Sequence, residues 1–163
     1  MSNRSRISSR ANKKGRAGEK IANSALERIG CLMVEEIGTP FKIIGRKVFN
    51  GQTWLQGFWK SKVSGDRRCV RQDGISVLVE TKMITDRSLR WSDFKEHQPD
   101  RLDQHAQYAI SLVVWVRDVY EVFILQWPIP GFGPGQGGSI TPERAQELTI
   151  DDINQCKSPK LGW

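Results

Sequence analysis

The chain has 163 residues, 38% of them hydrophobic, and a formal net charge of +7. That length suits one domain with tails and a sizeable buried core. The apolar runs 109–116 and 119–125 are far too short for membrane-crossing helices, and three cysteines with no CxxC pair point to reduced thiols, not to a disulfide frame or a zinc site.

The charge is unevenly placed. The first sixteen residues carry Arg4, Arg6, Arg10, Lys13, Lys14 and Arg16 and no acid. Six of the seven net positive charges therefore sit on an N-terminal arm, residues 1–16, expected to be flexible. Such an arm is either a solvated tail or a polyanion-binding element that orders on nucleic acid. No apolar run follows it as a signal peptide would need, so a cytoplasmic setting is expected.

A helix is expected from about Ala17 to Met33, with Ala22, Leu26, Ile29 and Met33 as its apolar stripe. Glu19 falls on that stripe. A buried acid needs a partner or a metal, although a first-turn glutamate is also favoured by the helix dipole. Thr39-Pro40 marks a break, and Phe41 to Ile44 reads as a short strand. Val48 to Trp59, rich in aromatics and glycine, has no clear assignment; it suits core packing or an insertion.

The stretch 63–82 reads as a hairpin. Asp73-Gly74 is a turn dipeptide between strand-forming residues. Beyond it, alternation places Glu80 and Lys82 on one face of a strand. Asp66 can come level with Glu80 across the turn. Two carboxylates and a lysine would then meet at a strand end, which suits a hard divalent cation and phosphodiester chemistry. The plainer alternative is a surface ion pair of negligible energy. Lys62, Arg67, Arg68 and Arg71 flank the acids as candidate phosphate contacts.

Ser92 reads as an N-cap, and Gln98-Pro99 as the start of a helical turn with Leu102, Ala106 and Ala109 at core spacing. Strands are expected at 110–116 and 119–127, turned at Arg117-Asp118. The Pro/Gly-rich stretch 128–139 reads as a linker, Thr141-Pro142 opens a short helix to about Leu148, and 149–163 reads as a polar tail. The organisation expected is thus an arm (1–16), a domain (17–127), and a linker with a C-terminal helix and tail (128–163), in an α/β fold with helices on the faces of a central mixed sheet.

Ser64-Gly65-Asp66 followed by Val79-Glu80-Thr81-Lys82 resembles the motif of the PD-(D/E)xK nuclease superfamily, with Gly65 where proline is usual. Glu19, after Lys14-Gly15-Arg16-Ala17-Gly18, stands where that superfamily often has a further acid. Phe94, His97-Gln98 and Leu102, followed by two strands, are similar to the Holliday-junction resolvases of bacteria and their phages, although Pro99 departs from the pattern. The resemblance covers roughly residues 13–127. Gln104 and Tyr108 also echo the Q-x-x-x-Y motif of the exonuclease branch. The resemblance implies a restriction-endonuclease-like core and a homodimer acting on branched DNA. It further implies Mg²⁺, or Mn²⁺, held by Asp66, Glu80 and the Thr81 carbonyl with Glu19 direct or through water. Lys82 would act on the water, and Gln98 would position phosphate or water. The alternatives are another nuclease of the superfamily, restriction-like or end-processing, and a non-catalytic DNA-binding protein.

Overall fold

The computed structural model describes residues 17–37, 41–50, 52–59, 67–136 and 138–157, and only the backbone over most of 41–59. Helix α1 spans residues 17–28. Strand β1 (Leu32–Glu36) follows, then β2 (Phe41–Phe49), β3 (Gln52–Trp59), β4 (Arg67–Val70), β5 (Ser76–Met83) and β6 (Leu89–Arg90). A 3-10 turn (Trp91–Asp93) leads to α2 (His97–Ala106), β7 (Ile110–Val116), β8 (Val122–Trp127), β9 (Ser139–Ile140) and α3 (Pro142–Leu148), and a second 3-10 turn (Ile153–Gln155) closes the order.

The chain is α/β. Its main sheet has five strands in the order β1-β4-β5-β7-β8. β5 and β7 run parallel, and every other neighbouring pair is antiparallel. β7 is buried along its whole length, as expected of a strand covered on both faces. One face packs on α1, with Val77, Val79, Leu112 and Val114 against Ala22, Leu26 and Ile29. The other face packs Leu78, Val113 and Trp115 against Leu102, Phe94, Trp127 and Phe132. Strand alternation therefore sends the odd-numbered side chains of β5 toward α1 and the even-numbered ones toward α2.

Helix α1 ends five residues earlier than expected. Gly30 adopts φ +94°, and its amide bonds back to the Glu27 carbonyl at 3.0 Å. This left-handed glycine stops the helix. The chain then extends into β1, and Met33 is exposed, not part of the buried stripe. Closer to its start, Gly18 packs against β5: a Cβ there would stand 2.7 Å from the Met83 sulfur, which would have to move aside.

The stretch 48–59 forms strand with 41–49: β2 and β3 pair as a separate hairpin around Asn50, whose φ is +49°. The expected N-cap at Ser92 is replaced by the 3-10 turn, where the Asp93 carboxylate accepts from the Arg90 amide at 2.7 Å. Pro99 lies in the first turn of α2, where its missing N–H costs nothing. The expected linker packs instead. Ile129 and Phe132 are buried in the second core, and β9 pairs with β6. The expected tail also docks in part, with Ile153 buried beneath α1 and its amide donating to the Ile29 carbonyl at 2.8 Å. Helix α3 starts as expected: the Thr141 hydroxyl accepts from the Arg144 amide. Cys31, Cys69 and Cys156 are free and buried, and burial pushes the Cys156 thiol up to about 11. Among the described residues no helix is long and apolar enough to cross a membrane.

Candidate active site

β5 is the middle strand of the main sheet, and its turn with β4 sets the site's register. The Asp73 carboxylate accepts from the Ile75 amide, and Gly74 takes φ +85°. Arg71 clamps Asp73 through both carboxylate oxygens and also donates to the Cys156 carbonyl at 3.2 Å. Its guanidinium, once a candidate phosphate contact, therefore serves the turn, and it holds the Asp73 carboxyl below the usual range. The ladder then runs Val70↔Ser76 to Arg67↔Val79.

Glu80 and Lys82 point to the α2 face as alternation requires, but they do not form a surface pair. Glu80 is 2% exposed. Lys82 Nζ lies 2.9 Å from Glu80 Oε1 and donates to Gln98 Oε1 at 2.7 Å. Gln98 Nε2 donates to Glu80 Oε1 in turn. This arrangement fixes the amide's orientation. Its oxygen faces a donor-only ammonium and its nitrogen an acceptor-only carboxylate, so a flip would break both bonds. The Lys95 amide also donates to Gln98 Oε1, at 2.8 Å. Beneath the ammonium lies the Phe94 ring, 4.6 Å away at its centroid. Phe94 is part of an aromatic group with Trp91, Trp127 and Phe132. Three polar side chains from β5 and α2 thus interlock over an aromatic floor.

Thr81 faces the opposite way, toward α1. There Arg67, 2% exposed, extends between strand and helix. Its Nη1 donates to Thr81 Oγ1 at 3.2 Å, its Nε donates to Asn23 Oδ1, and its Nη2 stands 4.0 Å from Glu19 Oε2. Arg67 was expected at a phosphate. The structure instead gives it three internal partners. Asn23 was missed by sequence reasoning, although it sits four residues after Glu19 on the same helical face.

Glu19 therefore belongs with Arg67, on the sheet face opposite Glu80. Among the described residues no three His, Cys, Asp or Glu side chains cluster so as to hold a metal ion. Glu80 supplies an oxygen donor of the kind Mg²⁺ takes. Asp66 lies outside the described residues, as do Lys62 and the arm residues Arg4, Arg6, Arg10, Lys13, Lys14 and Arg16. Arg68 is exposed on the α2 side, opposite Leu78.

The Glu80–Lys82–Gln98 arrangement presents a carboxylate, a fixed ammonium and an oriented amide within one hydrogen-bonded group. No protein-family model matches the chain, and no curated protein matches it.

Proposed function

We propose that the protein is a divalent-metal-dependent DNA endonuclease of the PD-(D/E)xK kind that cuts branched DNA, four-way junctions above all. The observation that carries this reading is the buried Glu80–Lys82–Gln98 group. Burying an ion pair costs desolvation that its mutual attraction only partly returns. Such a pair is a poor device for stability and a common one at functional sites. The element order supports the same reading. A helix, three antiparallel strands, a second helix and a strand parallel to the third, here α1, β1-β4-β5, α2 and β7, is the order expected of a restriction-endonuclease-like core.

The described ladder reaches Arg67 opposite Val79; Asp66, expected from the sequence to come level with Glu80, is proposed as the second carboxylate. A divalent cation held by Asp66, Glu80 and the Thr81 carbonyl would supply Lewis-acid activation of water and neutralise charge at the scissile phosphate. Lys82 then orients the attacking water and stabilises charge developing on the phosphate. Gln98 holds Lys82 and Glu80 at a fixed separation. Glu19, on the other face beside Arg67, is given no ligand role. The basic arm adds sequence-independent affinity. Paired nicks across a junction need two such sites, hence a homodimer.

The test is incubation with a four-way junction, a linear duplex and single strands, in Mg²⁺ or in EDTA. Paired nicks on the junction, dependent on Mg²⁺, support the reading. Degradation of linear DNA would move the protein to an end-processing branch. Binding without cutting would leave a non-catalytic DNA-binding protein.

A further inference from the structure

The sheet face that bears Glu80 and Lys82 continues past them. Leu78 precedes Glu80 by two residues on that face, about 6.6 Å along the strand. Arg68 lies opposite Leu78 on β4. Over this end stands α2, which presents His97, Arg101, Gln104 and His105 at positions i, i+4, i+7 and i+8, a single helical face. With Asp100 these residues line an open cleft of about 560 Å³.

Two guanidinium groups and one carboxylate line this cleft, and Glu35 of β1 stands opposite Arg68 at its edge. Among the described residues, neither the Arg68 nor the Arg101 side chain makes an ion pair or hydrogen bond. By contrast, Arg67, Arg71 and Arg87 are each held by an acid. Two guanidinium groups from different elements, neither held by an acid, suit an anion seated in the cleft between them.

His105 adds a third group. The Ser111 hydroxyl donates to the Leu102 carbonyl at 2.9 Å, so its oxygen can only accept from His105 Nδ1, 3.1 Å away. The proton of the neutral ring is therefore on Nδ1, and Nε2 gains one only when the ring becomes charged. Burial first, and Arg68 second, hold the ring below its usual pKa. An anion seated between Arg68 and Arg101 would offset the Arg68 repulsion and raise the ring's pKa, favouring the charged form that can donate.

We propose that this cleft binds a backbone phosphate of the nucleic acid, one step along the strand from the phosphate at Glu80–Lys82, with Arg68 and Arg101 as its donors. The inference rests on the nucleic-acid reading above. An open, polar cleft on the same sheet face as the site suits a polymer passing over that face. A small-molecule pocket would enclose its ligand and be mostly apolar. The guanidinium fork matches phosphate oxygens.

The test uses the full chain and a four-way junction in EDTA, so that binding is read without cutting. Affinity is measured between about 50 and 200 mM salt for the wild type and for R68A/R101A, with melting curves to show that the variant folds. Losing one phosphate contact lowers the slope of log K against log salt by about 0.9 and the low-salt advantage by about threefold. In parallel, the His105 ring resonance is titrated with pH, alone and with inorganic phosphate, in wild type; its pKa should rise with phosphate, read against its neighbours Arg68, Arg101, Asp100 and His97. An unchanged slope with an unmoved His105 overturns the cleft alone. Absence of any DNA binding by wild type overturns the nucleic-acid reading with it. Binding with the expected slope change but no Mg²⁺-dependent cutting keeps the cleft and removes the nuclease.

Discussion

Replacing Lys82 by methionine removes the one cation that faces Glu80 within the Glu80–Lys82–Gln98 group while keeping most of the side chain's volume. The ammonium lies 2.9 Å from the Glu80 carboxylate, and the two side chains are only 11% and 3% exposed. Glu80 would be left as a buried carboxylate with the Gln98 amide as a donor. Breaking one side of a buried pair costs about 3–5 kcal/mol. For a chain of this size each kcal/mol lowers Tm by about 2–4 °C, so a fall of about 6–20 °C is expected. Urea denaturation near pH 7 gives the free energy directly. The double variant Glu80→Gln with Lys82→Met removes both charges and should regain about 1–3 kcal/mol relative to the sum of the single changes. A Lys82→Met protein within about 1 kcal/mol of wild type, or a double variant whose loss is simply additive, would refute a buried, mutually dependent pair.

Arg67→Met should cost about 1.5–3 kcal/mol, because it strips the charged donor from Asn23 and Thr81 inside the α1 interface; an unchanged denaturation midpoint would contradict that placement. Deleting residues 1–14 should weaken junction binding and flatten its salt dependence, measured by titration at several salt concentrations; an unchanged slope would remove the arm from DNA binding. His105 is held neutral, with its folded pKa below the usual 6.5. The unfolded chain therefore takes up the proton first. Its contribution to stability is fully present above about pH 6.5 and is lost as pH falls from there toward the folded-state value. Denaturation curves for His105→Asn should lack this decline; a wild-type decline retained by the variant would assign it to another group.

Much of the site's geometry was legible in short-range pattern. Asp73-Gly74 placed the turn, and alternation put Glu80 and Lys82 on one face, because both depend on neighbours in the chain. Strand 110–116 and the Thr141-Pro142 helix start were readable for the same reason, as was the expected strand 119–127 except for 119–121, which belong to the turn. What alternation could not say was which face α1 would cover. That choice is tertiary, and it separates Glu19 from Glu80. Strand β1 was hidden because Leu32–Glu36 is glutamate-rich and continues the helical stripe, until Gly30 breaks it. The β2–β3 hairpin did carry a signal in Asn50-Gly51, a favoured turn pair, masked by the surrounding aromatics. The 128–139 stretch has linker composition, yet Ile129 and Phe132 anchor it, and two apolar residues outweigh many glycines when a core face is open.

Single-turnover cutting of a four-way junction in Mg²⁺, wild type beside Asp66→Asn, tests the proposed nuclease most directly. The account predicts paired nicks by wild type, and by Asp66→Asn undiminished junction binding with no product. Cutting by Asp66→Asn at the wild-type rate, or no cutting by wild type in Mg²⁺ or Mn²⁺, would contradict it.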